Sequence, residues 1–100
     1  MSCSQCRHLP VREGIRNADD LRSLLRLAKA AQREQMITET TPRHVHAEMG
    51  CPPVEELPVD GPWADILGYS FRCNACEATY EMTVEISGGQ GGIWQRRDAR

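Results

Sequence analysis

The residues best suited to chemistry in this 100-residue chain are its five cysteines. Four of them form two C-x-x-C pairs, Cys3 with Cys6 and Cys73 with Cys76. A C-x-x-C turn directs two sulfurs toward one point, and two such turns supply the four thiolates that bind Zn²⁺ tetrahedrally. The spacing therefore predicts one structural Zn²⁺ ion held by all four of these sulfurs.

A metal would also compensate for a small apolar interior. Leu, Ile, Val and Phe together make up 18 of the 100 residues, below the roughly 20% at which chains tend to stay unfolded. The net charge of −2 is small for a disordered chain, so we expect one globular domain over residues 1–100. Closing the loop between the two pairs costs about 3–4 kcal/mol, and a structural zinc ion contributes about 10–16 kcal/mol. The free energy of zinc binding is therefore expected to exceed the cost of closing the loop.

Other uses of the cysteines and of two histidines stay open at this point. A single C-x-x-C pair also occurs in thioredoxin-like redox proteins, and the two pairs could be unrelated. Cys51 follows closely after His44 and His46, and these three could bind a second metal or replace a ligand of the first. In the simpler interpretation they belong to a polar loop. The chain has neither a G-x-S-x-G nor an H-E-x-x-H motif, so no catalytic residue and no enzyme activity are predicted.

One amphipathic helix is predicted between residues 18 and 34. Asn17 can cap its first turn, where Asp19 and Asp20 interact favourably with the helix dipole. Apolar residues recur at helical spacing and form one stripe. The stripe consists of Leu21, Leu24, Leu25, Ala28 and Ala31. The basic residues lie off the stripe on a face that we expect to be solvated; they are Arg22, Arg26, Lys29 and Arg33.

A hairpin is predicted around the second C-x-x-C pair. Apolar and polar residues alternate over 66–72 and again over 78–86, which is typical of half-buried strands. Cys73 and Cys76 would lie in the turn between them. The predicted fold class is therefore α+β, a small zinc-ribbon-like domain in which a knuckled antiparallel hairpin packs against the one amphipathic helix.

Four further segments complete the expected fold. Residues 36–40 include β-branched side chains and predict a short edge strand. The glycine-rich run 88–92 permits a tight reversal that returns Trp94 to the sheet. Residues 9–16 are expected to be irregular, and residues 96–100 are expected to form a flexible tail.

The two knuckles, the hairpin, the Gly-Gly turn and Trp94 together resemble the zinc-ribbon proteins, in particular small bacterial ribbon and immunity-type proteins. The match covers about residues 1–8 and 64–95. Arg7 and Glu77 stand where many ribbon knuckles have Gly after the second Cys. The resemblance implies Zn²⁺ as the cofactor, and small acidic bacterial proteins of this sort often neutralise a secreted toxin.

Charge is distributed unevenly along the chain. Residues 1–33 carry a net charge of +4, residues 34–85 carry −8 and residues 86–100 carry +2. Within the acidic part, residues 41–63 hold five of the six prolines, which disfavour regular helix and central strand. This segment is expected to be a partly packed binding loop or, alternatively, a surface segment with no binding role. The candidate partner-binding residues are Glu48, Glu55, Glu56, Asp60 and Trp63.

These features predict a non-enzymatic, zinc-stabilised protein-interaction module, specifically an immunity protein whose acidic surface binds a basic toxin. The alternative is a nucleic-acid-binding zinc ribbon that uses the helix arginines with Arg96, Arg97 and Arg100. No segment has the roughly 18 apolar residues of a membrane span, and the first residues lack the apolar core of a signal peptide. The chain is therefore expected to be cytoplasmic.

Overall fold

The computed structural model describes residues 9–50, 52–63, 65–85 and 91–97. These residues contain one long and one short α-helix, a single 3₁₀ turn and five strands. In chain order they are β1 (Arg12–Ile15), α1 (Ala18–Arg33), β2 (Ile37–Glu39), α2 (Arg43–Met49), the 3₁₀ turn (Val54–Glu56), β3 (Ile66–Cys73), β4 (Thr79–Glu85) and β5 (Gly91–Arg97).

The described strands form one antiparallel sheet in the order β1-β5-β4-β3-β2. β3 and β4 pair from Ile66 opposite Glu85 to Arg72 opposite Thr79. β5 pairs with β4 on its other side, and β1 and β2 form the two edges. The predicted α+β class is confirmed. The predicted hairpin is present as β3 and β4, and the predicted edge strand is present as β2. The sheet is larger than predicted because β5 pairs with β4 and β1 pairs with β5.

The long helix α1 begins and packs as predicted. The side-chain Oδ1 of Asn17 accepts a hydrogen bond from the backbone N–H of Asp20 at 2.9 Å, and all five residues of the predicted stripe are buried. The helix ends at Arg33, one residue before the predicted end. Gln35 follows with a φ of 63°, a left-handed conformation of the kind that commonly ends helices.

Aromatic rings fill much of the core between α1 and the sheet. The ring of Trp94 lies with its centroid 5.6 Å from that of Phe71 and 5.4 Å from that of Tyr80. Its Nε1 donates a hydrogen bond to the carbonyl oxygen of Pro10 at 2.9 Å. Large aromatic side chains bury much apolar surface each, so a few of them offset the low number of aliphatic residues.

Three segments differ from their predictions. The stretch 9–16, predicted to be irregular, contains β1, because pairing with β5 supplies backbone hydrogen bonds that the local pattern does not show. The proline-rich segment 41–63 contains α2 and the 3₁₀ turn; Pro42 stands at the N-cap of α2, where a missing N–H costs little. Residues 96–97 of the predicted tail belong to β5.

Several sequence predictions concern residues outside the described ranges. They fall on Cys3, Cys6, Cys51, 86–90 and 98–100. In the part of the chain that the structure does describe, no helix combines the length and the apolar character needed to cross a membrane.

Candidate functional site

The second C-x-x-C pair forms a tight turn between β3 and β4. The N–H of Cys73 donates to the carbonyl oxygen of Ala78 at 2.8 Å, and the N–H of Glu77 donates to the carbonyl of Cys73 at 3.0 Å. Cys73 is completely buried, whereas Cys76 is exposed. Glu77 has a φ of 65°, at the position where ribbon knuckles often have Gly. Glu77 therefore adopts the left-handed backbone conformation, which costs a residue other than glycine about 1–2 kcal/mol.

Asn74 fastens this turn to the connection between α1 and β2. Its backbone N–H donates to the carbonyl of Met36 at 2.9 Å, and its Nδ2 donates to the carbonyl of Gln35 at 2.7 Å. The hydroxyl of Thr38 donates to Asn74 Oδ1 at 2.8 Å. These three bonds hold the C-x-x-C turn in one position relative to the connection between α1 and β2 and to β2 itself.

For the residues that it describes, the structure corrects the metal-binding prediction. Across 9–50, 52–63, 65–85 and 91–97, no group of three or more His, Cys, Asp and Glu side chains is placed to hold a metal ion. The sulfurs of Cys73 and Cys76 alone do not complete a tetrahedral set of ligands. Cys3 and Cys6 lie outside the described residues, so a Zn²⁺ ion bound by all four sulfurs stays a prediction from the sequence alone.

The five candidate partner-binding residues lie in the segment from α2 to Trp63. Glu48 is exposed on α2, and Glu55 and Glu56 are exposed in the 3₁₀ turn. The side chain of Asp60 is 83% exposed, whereas Trp63 is half-buried. The four carboxylates thus face solvent while the Trp ring packs partly against the core. We call these five residues the acidic surface.

Buried side chains hold the acidic surface in place. Val54 and Leu57 are buried in the main core on either side of the exposed glutamates. The hydroxyl of Tyr69 on β3 donates to the carbonyl of Pro52 at 2.6 Å. The Nζ of Lys29 on α1 donates to the carbonyl of Glu55 at 3.2 Å. The loop is therefore attached to both the sheet and the helix, although most of it lacks regular secondary structure.

Glu39 is an anchor of this loop that the sequence analysis missed. Its Oε1 accepts a hydrogen bond from the N–H of Val54 at 2.8 Å. Its Oε2 lies 3.0 Å from Nε2 of His46, and the two side chains are only 10% and 17% exposed. The His46 ring lies 5.9 Å from that of Tyr69. Glu39 thus connects β2, α2 and the start of the 3₁₀ turn; a single Glu at a strand end gave no signal of this role.

Replacing Glu39 with alanine is expected to lower the free energy of unfolding by about 2 kcal/mol. The N–H of Val54 loses its acceptor, and hydrogen bonds to a carboxylate contribute more to stability than bonds between neutral groups. Amide exchange in residues 54–57 should become faster. Urea unfolding and hydrogen exchange measure both effects. Glu55→Ala is the control, because that side chain is exposed, and it should change stability by less than about 0.5 kcal/mol. Equal effects of the two substitutions would contradict the anchoring role.

Arg22 brings Asp60 and Trp63 together. Its Nε lies 3.7 Å from Oδ1 of Asp60, and its guanidinium carbon lies 5.8 Å from the centroid of the Trp63 ring. Its Nη1 also binds Asp19 at 2.6 Å. The Nε1 of Trp63 donates to the carbonyl of Pro58 at 2.8 Å. The basic face of α1, predicted to be solvated, thus partly holds the acidic surface in place. The helical spacing of its residues did not indicate this role.

The arginines of the nucleic-acid alternative lie on two sides of the sheet. The Nε of Arg97 on β5 lies 3.4 Å from Oε1 of Glu81 on β4. Because Tyr80 and Met82 on either side of Glu81 are buried in the core, Glu81 and Arg97 lie on the opposite face of the sheet. Helix α1 packs on the core face, so its arginines and Arg97 do not form one continuous surface. Arg96 lies opposite Tyr80 and is therefore on the same face of the sheet as α1. Arg100 lies outside the described residues.

Comparisons with protein-family models, with curated proteins and with solved structures return no match for this chain. The function of this chain is therefore inferred from the geometry of its own residues.

Proposed function

We propose that this chain is a non-enzymatic, cytoplasmic protein-interaction module that binds a basic protein partner through the acidic surface. In its most specific form the proposal is an immunity role, in which the partner is a basic toxin. The observation that carries it is the combination of exposed carboxylates with a loop that is fixed by buried anchors.

Preorganisation explains how such a surface supports binding. Ordering a flexible segment on association costs free energy, and a segment that is already ordered avoids that cost. Complementary charge increases the rate of association and makes it sensitive to salt. Trp63 adds an aromatic side chain whose contact with Arg22 is shared by Asp60, and aromatic residues are frequent among the residues that dominate binding energies. The acidic surface thus has both a charged and an apolar component.

The test uses a fluorescently labelled peptide of alternating Lys and Gly as the basic probe, with fluorescence anisotropy at about 25 mM and about 200 mM salt. Glu55→Lys combined with Glu56→Lys should weaken binding about ten-fold at the lower salt concentration. The matched control is Glu13→Lys combined with Glu34→Lys, which makes the same change in net charge at exposed positions elsewhere. It should weaken binding less than about three-fold.

Two outcomes would oppose the proposal. Equal weakening by both double variants would mean that only net charge matters. Tighter binding of a short DNA duplex than of the basic peptide, with a steep loss at higher salt, would favour the nucleic-acid alternative.

A further inference from the structure

The sheet has a second face, which points away from helix α1. The strand register places Arg72, Thr79 and Arg97 side by side on β3, β4 and β5. Successive residues of a strand point to opposite faces, and Tyr80, the neighbour of Thr79, is buried in the core. The three side chains therefore lie on the face opposite α1. We call this side of the sheet the outer face.

Arg12 on β1 extends this row of side chains. It lies opposite Gln95 on β5, which is on the same face as Arg97, two residues further along the strand. Diagonal neighbours of this kind are about 7–8 Å apart in an antiparallel pair. All three arginines are exposed, and Thr79 is half-buried. One end of the outer face thus presents three guanidinium groups and a hydroxyl.

Positive charge exceeds negative charge at this end of the outer face. Glu81 lies on the same face, with its Oε1 3.4 Å from Nε of Arg97, and Glu77 is exposed in the adjoining turn. Neither Arg12 nor Arg72 forms an ion pair with a residue that the structure describes. Three arginines thus stand against two carboxylates, and two of the arginines can bind a further anion.

Thr79 lies at the centre of this arrangement. Neighbouring strands are about 4.7–4.9 Å apart, so the long side chains of Arg72 and Arg97 can meet above the Thr79 hydroxyl from both sides. A guanidinium group presents forked N–H donors that match the oxygens of phosphate, and the hydroxyl supplies one more donor. A phosphate group has three acceptor oxygens and more charge than a carboxylate, so it uses these donors more fully.

We propose that Arg72, Thr79 and Arg97 form a binding site for the phosphate group of a small molecule, with Arg12 adding positive charge at its edge. The ligand is either free phosphate or a small phosphomonoester. The acidic surface is attached to the core face, on the other side of the sheet. The inference therefore goes beyond the proposed function and does not depend on it.

The experiment follows the backbone amide NMR signals of the full chain during titration with inorganic phosphate, glycerol phosphate and acetate, at a constant ionic strength of about 100 mM. Phosphate should shift the signals of Arg72, Thr79 and Arg97 to saturation, and acetate should bind about ten-fold more weakly. The signal of Arg26 on α1 should stay in place. Binding of glycerol phosphate as well identifies a phosphomonoester as the ligand, and binding of phosphate alone identifies the free ion.

Matched variants test the location of the site. Arg72→Gln should weaken phosphate binding about ten-fold, because it removes charge-assisted hydrogen bonds. Arg26→Gln makes the same change at an exposed position of α1 and should weaken binding less than about two-fold. Thr79→Val keeps the branched shape, loses the hydroxyl and should weaken binding about three-fold or more.

Four results would overturn the inference. Three of them are an unmoved Thr79 signal in phosphate, acetate binding as tightly as phosphate, and equal weakening by Arg72→Gln and Arg26→Gln. The fourth is binding of a single strand of about ten thymidine nucleotides more than about thirty-fold more tightly than phosphate, with a steep loss at higher salt, which would indicate a nucleic-acid ligand instead.

Discussion

Replacing Trp94 with alanine is expected to lower the free energy of unfolding by about 3–5 kcal/mol, the usual range for removing a large aromatic side chain from a core. The Trp94 side chain is 0% exposed and contacts the rings of Phe71 and Tyr80. Its loss leaves a cavity in the core between α1 and the sheet and removes the bond to the Pro10 carbonyl. Since small domains have total stabilities of about 5–15 kcal/mol, the variant should be largely unfolded in moderate urea. Circular dichroism during urea titration measures the change.

Two comparison variants show which interaction matters. Trp94→Phe keeps an aromatic ring but removes the indole N–H, and it should cost less than the alanine variant. Trp63→Ala removes the same side chain at a half-buried position and should cost clearly less than Trp94→Ala, because less apolar surface leaves water there on folding. Equal loss of stability in Trp63→Ala and Trp94→Ala would show that the core is not centred on Trp94.

Replacing Gly92 with alanine is expected to destabilise the fold by about 3 kcal/mol or more, through overpacking against backbone atoms that cannot move aside cheaply. A Cβ atom at this position would collide with the carbonyl oxygen of Thr83 and would lie 2.7 Å from the Cα of Val84. Both residues belong to the neighbouring strand β4, so relief requires β4 and β5 to separate. We expect the variant to unfold at a much lower urea concentration, or to be recovered only in unfolded form.

Gly14→Ala is the matched control for Gly92→Ala. Gly14 lies on the adjacent strand β1, and a Cβ atom there meets nothing within 4 Å. This substitution should be neutral or should stabilise the chain by about 0.4–1 kcal/mol, since alanine restricts the unfolded state. Comparable destabilisation by the two alanine substitutions would contradict the close approach of β4 and β5 at Gly92.

Local periodicity was sufficient to predict the main elements. Every residue of the apolar stripe of α1 was predicted, because apolar residues on the buried face of a surface helix recur every three or four positions. Strands β3 and β4 were predicted from the alternation of apolar and polar residues. This alternation arises within one strand, because successive side chains point to opposite faces of the sheet. The acidic character of the loop could also be read directly, since it depends on composition alone.

Contacts between distant residues were not accessible in this way. β1 is four residues long and mostly exposed, so its own pattern carries no strand signal, and only the pairing with β5 reveals it. The hydrogen bond from Val54 to Glu39 and the ion pair of Arg22 with Asp60 join segments that are separate in the sequence. Neither residue type nor spacing encodes which carboxylate will be buried and which will face solvent.

The amino-acid sequence by itself determined the helix, the central strands and an acidic, proline-rich segment, because these depend on short-range spacing and on composition. Tertiary structure decided the five-stranded order of the described sheet and the fixed attachment of the acidic surface. The physical reason is that each of these arises where side chains from three or more elements meet, and such a meeting depends on packing of the whole core rather than on any one stretch of chain.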